Sequence, residues 1–280
     1  KTHPKLLGAK DIEKFLSYLA TEGKVTASTQ RQALNALVFL YKHVLDIQLE
    51  DEITPARSKR VASPPTVLTK IEAQKLLAAM EGKTALMAKL LYGGGLRLME
   101  CIRLRVQDID FGQNLIFIRG GKGGKDRTTI LPKNLRDELQ RQVEAVKTLH
   151  HKDLEEGFGE VYIPEALARK YPRAGKETSW QYVFPAKERS RDPRSGKEMR
   201  HHVLESNLQK AVKQAAQQAG INKRVGCHTL RHSFATHMLE AGLISASCRN
   251  CSATRMSRRR KYTRMSCRGI SAICKARWIC

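Results

Sequence analysis

The sequence predicts a mainly α-helical fold with a small antiparallel sheet, divided into two domains. Three observations predict it. Apolar residues recur at helical spacing over most of the chain, one stretch alternates around a glycine and lysine turn, and "DEITPARSKRVASPPTV" breaks all periodicity with three prolines. With 280 residues and an apolar content of 41%, the chain has enough material to bury a core in one large or two ordinary domains.

Taken in order, "KDIEKFLSYLAT" reads as a first helix. "ASTQRQALNALVFLYKHVL" reads as its partner, with Leu34, Leu37, Val38, Tyr41, Val44 and Leu45 on one face and basic residues between them. Residues 1–50 are therefore expected to be a small helical module. It is expected to be N-terminally incomplete, because the chain opens on Lys1 and not on Met. Residues 51–67 read as an exposed linker. Thr69 and Glu72 have capping-box spacing ahead of "AQKLLAAM", so a second domain, residues 68–242, opens on a helix. "ALMAKLLYGGGLRLMECIRLRVQDIDF" reads as a helix, a glycine turn and a second helix. "NLIFIRGGKGGKDRTTILP" then places two alternating apolar runs around a Gly and Lys turn, which predicts a hairpin, and the sequence afterwards returns to helices.

Charge narrows the function class. Fifty-one Lys and Arg stand against 27 Asp and Glu, a net +24, which points to a polyanionic partner, most often nucleic acid. The last 38 residues hold ten of those cations and no acid, yet the body through Gly242 stays basic without them. No apolar run approaches the roughly 20 residues of a membrane span, so no membrane partner is expected. Only Cys101 and Cys227 precede Gly242, while Cys248, Cys251, Cys267, Cys274 and Cys280 crowd the end. "CRNC" has the CxxC spacing of a zinc or redox site but lacks a second pair or a His at ligand distance, and no metal is expected there.

Two stretches carry candidate chemistry. "GGKGGKDR" lacks the Walker spacing and the following helix of a nucleotide-binding loop, and its glycines suit a tight turn that projects Lys122 from the end of a sheet. "HTLRH" sets His228 and Arg231 three apart, on one helical face, where a phosphate could accept from both. On these residues alone His228, His232 and His237 are equally readable as metal ligands or surface histidines.

"YGGGLRLMECIRL", "GKGGKDR" and "HTLRHSFATHMLEAG", in that order behind a small helical domain, together resemble the tyrosine recombinases. "GFGEVYIPEALARKYPRAGKE" and "WQYVFP" are similar to the extended segments of the integron integrase branch. The resemblance covers residues 1–242. It implies a two-domain clamp on DNA, a helical core-binding domain plus an α+β catalytic domain, in which a tyrosine attacks the scissile phosphate and leaves a 3′-phosphotyrosyl link. It further implies Arg97 and Arg231 as the two phosphate-binding arginines, Lys122 as the hairpin lysine that protonates the leaving 5′ oxygen, and His228 as the first histidine. Fixed cations offset the charge developing on the nonbridging oxygens, so neither metal nor nucleotide cofactor is implied. The implied partners are recombination sites in DNA, including folded single-stranded hairpins with extrahelical bases, and further copies of the chain in a synaptic tetramer. The implied setting is the bacterial cytoplasm. Trp180, His201 and His202, in "TSWQYVFPAKERSRDPRSGKEMRHHV", match the segment that grips extrahelical bases, with a core role for Trp180 as the alternative.

The resemblance stops at Gly242, where the helical period ends as well. In the family a Leu-Leu-Gly-His element and the nucleophilic tyrosine follow. Residues Ser247 to Ser266 can be encoded so that dropping the first two bases yields VQELLGHEDVETTQIYTHV, which resembles that missing segment. A frameshift close to Gly242 is therefore expected, against the alternative of a divergent basic tail over 243–280. Tyr262 stands almost where the nucleophile belongs, but "RRRKYTRM" has no helical pattern to aim it, and its place reads as coincidence.

Overall fold

The computed structural model describes residues 3–48, 53–58, 65–121 and 124–242. The chain divides into two compact units, Lys1–Pro64 and Pro65–Cys280.

In the first unit α1 (Ala9–Thr21) and α2 (Ala27–Phe39) pair around Ile12, Leu16 and Tyr41, with Leu19, Leu34, Leu37 and Leu45 packed against them. Beyond Phe39 the helix widens into a π turn, Leu40–Val44, which changes the phase of the apolar face. Val44, expected on that face, consequently lies at the surface, and Val38, in α2 ahead of the turn, is exposed as well. The Tyr41 hydroxyl is 2.7 Å from the Pro4 carbonyl and 2.9 Å from that of Leu7. Residues 53–58, within the stretch 51–67 read as a linker, are exposed or half-buried and are fastened to the helices. There the buried Gln30 amide donates to Leu16 and Ala56 carbonyls at 3.0 and 2.6 Å and accepts from Ser58 N–H at 3.0 Å. A buried amide must satisfy its donors and acceptor, and at Gln30 the satisfaction fastens this stretch to the helices.

The second unit begins as its capping box predicts. Thr69 Oγ1 accepts from Glu72 N–H at 3.2 Å, and Glu72 Oε2 accepts from Thr69 N–H at 2.7 Å, opening α3 (Lys70–Ala78). The next helix, α4 (Gly82–Gly93), is buried over most of Ala85–Gly93 and runs through the middle of the unit, with Lys89 reaching out to Glu138 at 2.9 Å. It packs against α3, α5 (Leu98–Ile102), α8 (Glu205–Gln218) and α9 (Cys227–Glu240). Leu90, Leu91, Leu96, Ile102, Ile116, Leu131, Leu208, Val212 and Leu230 close the core around it.

The second helix expected after the glycine turn is only α5. From Leu104 the backbone is extended: Val183 N–H donates to Leu104 O at 2.8 Å and Val106 N–H to Gln181 O at 3.0 Å. Pairing with residues far along the chain thus overrides the local helical pattern. Strands β1 (Ile109–Asp110), β2 (Leu115–Ile118) and β3 (Arg127–Ile130) form an antiparallel sheet in that order. In the expected hairpin Leu115 faces Ile130 and Ile118 faces Arg127. Helices α6 (Arg136–Glu155) and α7 (Glu165–Lys170) follow. A second ribbon, β4 (Ser190–Arg191) with β5 (Glu198–Met199), went unexpected because two-residue strands leave no period to read. Among the described residues no helix is long and apolar enough to cross a membrane.

Because Thr69 is exposed and its hydroxyl satisfies an otherwise free N–H, Thr69→Ala should cost about 1 kcal/mol of stability. Urea unfolding checks this: an unchanged midpoint would mean that the cap contributes nothing.

Candidate active site

Three guanidinium groups gather on the single carboxylate of Glu100. Arg97 is the N-cap of α5, three residues before Glu100, so one turn of backbone brings both side chains to the same end of the helix. Its N–H donates to Glu100 Oε2 at 2.7 Å and its Nη1 to Oε1 at 2.6 Å. Arg127 opens β3 and donates from Nη2 to Oε2 at 2.6 Å, tying the hairpin to α5. Arg231, in the second turn of α9, lies with Nη1 3.7 Å from Oε2 and donates to the Gly95 carbonyl.

The glycine turn makes this convergence possible. Gly95 has φ +62°, and a Cβ there would sit 2.5 Å from the Phe234 ring, so only glycine allows α9 to come this close. The neighbouring Gly94 carbonyl accepts from Thr129 Oγ1 at 2.7 Å. The turn is thus held between β3 on one side and α9 on the other.

The electrostatics follow from three cations against one anion. Burial raises the Glu100 carboxyl, but the donors from Arg97 and Arg127 outweigh it and leave Glu100 below its ordinary value. Burial, with Arg97 and Arg127 beside it, pushes Arg231 down to about 10, which still leaves it ionised at neutral pH. The carboxylate is 8% exposed, while the Arg97, Arg127 and Arg231 side chains are 28 to 32% exposed. Their open sides present a net positive, preorganised donor surface suited to an anion with several acceptor oxygens.

Of the residues expected from sequence, Arg97 and Arg231 meet in this cluster. His228 is exposed in the first turn of α9, one turn before Arg231. Lys122 lies outside the described residues, although the hairpin beside it is well defined: Gly121 N–H donates to Lys125 O at 3.1 Å and Gly120 N–H to Asp126 Oδ1 at 2.8 Å. Residues 243–280, including Tyr262 and the supposed frameshift, also lie outside them. His237 belongs to neither alternative left open for it. Its Nδ1 is 2.8 Å from the Tyr92 hydroxyl and its Nε2 2.9 Å from the Leu68 carbonyl, so both ring nitrogens are occupied within the fold. His232 is exposed.

Trp180 is half-buried and closes a short 3-10 turn, Thr178–Trp180, with the Arg105 guanidinium 5.4 Å from its ring centre. Arg105 also lies 4.6 Å from the Tyr182 ring centre and donates to the Tyr162 carbonyl at 2.8 Å. His202 meets Tyr182 edge-on at 5.3 Å, and its Nδ1 is 2.9 Å from the Val203 carbonyl; burial holds it below its ordinary value, hence neutral at pH 7. His201 Nε2 is 4.0 Å from Asp192 Oδ1. Sequence reasoning missed Glu100 and Arg127. The R-x-x-E spacing at 97–100 was the available signal, identical to the T-x-x-E spacing that marks Thr69 and Glu72.

The phage integrase family profile matches residues 66–247, the unit that holds the arginine cluster, and the profile for the phage integrase N-terminal SAM-like domain matches residues 1–51. The chain belongs to the phage integrase family, the tyrosine recombinases. Like other family members it pairs a helical N-terminal domain with a mainly helical second domain bearing small antiparallel sheets. It is 47% identical over 243 residues to an integrase/recombinase of Escherichia coli and, equally, to one of Pseudomonas aeruginosa, with 86% of this chain and 71% of each relative covered. It is 29% identical over 238 residues to tyrosine recombinase XerA of Pyrococcus horikoshii, covering 84% of this chain and 68% of that protein. The Tn1549 transposon integrase, solved in complex with transposon right end DNA, shares the fold with a TM-score of 0.54 at 15% identity, over 92% of this chain and 84% of that one.

Since the folded Glu100 is held below its ordinary 4.5, its contribution to stability is complete above that pH and is lost as pH falls through the lower folded value. Glu100→Gln should therefore be less stable than the parent at pH 7, with a shallower loss of stability below pH 4.5. Acid titrations of the two proteins by circular dichroism check this. Parallel acid limbs would show that Glu100 does not carry the linkage.

Proposed function

We propose that this tyrosine recombinase is of the integron integrase branch, a site-specific recombinase that integrates and excises gene cassettes in DNA through a 3′-phosphotyrosine intermediate. The observation that carries the reading is the pair Arg97 and Arg231, held by Glu100 and Gly95 with their open sides exposed. Their donors would receive the nonbridging oxygens of a scissile phosphate and offset the charge that builds as the phosphorus becomes five-coordinate. His228, one turn away on α9, would add a donor, and Lys122 would protonate the leaving 5′ oxygen. Exchange of a phosphodiester for a phosphotyrosine conserves bond energy, so strands can be rejoined without a nucleotide or metal. Copies of the chain would assemble on the paired sites as a tetramer.

A second reading concerns this exact chain: a DNA-binding remnant without strand cleavage. It is favoured by the loss of helical period after Gly242 and by the end of the family match at residue 247. On this reading a frameshift near Gly242 removed the nucleophile helix, and Tyr262 is not its replacement.

A nicked suicide substrate separates the two. The chain as printed should form no covalent adduct, the alternative frame after Gly242 should restore it, and Arg231→Ala in the restored chain should abolish it again. An adduct mapped to Tyr262 would show that the printed chain is an active recombinase.

DNA affinity should fall steeply with salt, because binding releases counterions, and residues 1–242 should keep most of it. Binding confined to the full chain would assign the property to the tail.

Trp180, His201 and His202 are proposed to hold extrahelical bases. Base stacking is worth about 1–3 kcal/mol per base, so Trp180→Ala should weaken binding to a hairpin with extrahelical bases about tenfold and to a plain duplex much less. An equal loss on both probes, or a lower melting temperature that accounts for it, would return Trp180 to the core beside Arg105.

A further inference from the structure

The ribbon β4–β5 is too short to hold itself together, since two residues per strand supply few ladder bonds. Its stability comes from outside. Asp153, in the last turn of α6 and only 5% exposed, takes both flanks of the ribbon. From the side after β5, Arg200 donates Nε to Oδ2 at 2.6 Å and Nη2 to Oδ1 at 2.7 Å, a two-pronged fork. From the side before β4, Arg189 donates Nη1 to Oδ1 at 3.1 Å. Each arginine then makes a second set of contacts. Arg200 Nη1 reaches the carbonyls of Ala186 and Lys187 at 3.1 and 2.6 Å, while Arg189 reaches Glu156 and Glu198 at 2.6 and 3.0 Å and covers the Phe158 ring at 4.0 Å.

The turn is as firmly built as the root. Asp192, 5% exposed, accepts from Ser195 N–H at 2.9 Å and Ser195 Oγ at 2.6 Å, and Gly196 takes φ +68° to close the loop. Its two arginines stay at the surface. Arg191 donates Nε to the Gly196 carbonyl at 2.8 Å, and Arg194 donates Nη1 to the Tyr162 hydroxyl at 3.2 Å. A guanidinium has five N–H donors, so each retains donors directed outward, whereas Lys197 is closed by Glu160 at 2.9 Å. Both acids of the ribbon face inward or pair: Asp192 with the turn, Glu198 with Arg189. What remains outward is cationic, carried on a turn that Asp192 holds.

We propose that Asp153 is a positioning residue that fixes the β4–β5 ribbon as a basic arm, with Arg191 and Arg194 contacting nucleic-acid phosphates. The proposal rests on the DNA-binding reading above and adds to it two phosphate contacts, within the segment already read as gripping bases, and their anchor. Rigidity matters because a held guanidinium meets a phosphate without first losing side-chain and loop freedom.

The test reads the slope of log affinity against log salt, on a plain duplex and on a stem-loop oligonucleotide of equal length, for the full chain. Each neutralised phosphate contributes about 0.9 to that slope on duplex and about 0.7 on single strands. The double variant Arg191→Gln with Arg194→Gln should lower the slope by about 1.4 to 1.8 on the probe that the arm engages. Arg200→Lys removes no charge and touches neither exposed arginine, but it breaks the fork to Asp153. It should lower the slope by a similar amount while the protein still melts cooperatively. Should Arg200→Lys fail to melt cooperatively, Arg189→Lys carries the same expectation. A purely structural role for the fork would shift melting and the active fraction but leave the slope of the folded protein intact, and that outcome overturns the proposal. An unchanged slope in the double variant overturns the arm itself. A parent protein with no salt-dependent binding to either probe overturns instead the DNA-binding reading on which both rest.

Discussion

The arrangement of the second unit turns on one carboxylate. Glu100 sits where α5, the hairpin and α9 come within reach of one another, and an arginine from each meets it there. Without the anion, three guanidinium groups would repel at close range in a partly dehydrated setting, at a cost of several kcal/mol at the effective dielectric of such a site. With it, two of the arginines are held in fixed geometry and the third is kept beside them by a backbone carbonyl. The cluster remains net cationic, and that residual charge is what an incoming phosphate would meet.

Much of the surrounding fold serves the same point. The apolar α4 gives α9 a long surface to lie on, Gly95 removes the Cβ that would push α9 away, and Thr129 pins the glycine turn to the strand next to Arg127. Ser233 Oγ accepts from Leu68 N–H at 2.9 Å and His237 reaches the Leu68 carbonyl, so the helix bearing Arg231 is also fastened to the start of the unit. These are short-range, buried contacts, and in a close-packed interior a shift at one of them is passed to the arginines directly.

What was legible in the sequence was local. The Thr69 and Glu72 cap, the helix before the glycines and the hairpin around "GGKGGKDR" each depend on residues within a few positions of one another, and each formed as read. Leu104 to Val106 did not, because its backbone partners at 181–183 lie far along the chain and no local pattern announces them. Arg97 and Arg231 were found through resemblance to a family, whereas Glu100 and Arg127 escaped. The Arg97 side chain has no acceptor to cap a helix, so the spacing to Glu100 looked unremarkable, and the pairing with Arg127 exists only once β3 folds back. Val44 failed for a different reason: the π turn after Phe39 alters the helical phase that its spacing assumed.

The central claim is that the arginine cluster is an anion site whose donors are set before any ligand arrives. Crystals soaked in tungstate, a tetrahedral oxyanion with strong anomalous scattering, test it most directly. The account predicts an anomalous peak within hydrogen-bonding distance of the Arg97 and Arg231 guanidinium groups, with the Glu100 pairs intact, and loss of that peak in Arg231→Gln. Tungstate bound elsewhere on the basic surface, with this cluster empty and its pairs to Glu100 undisturbed, would contradict it.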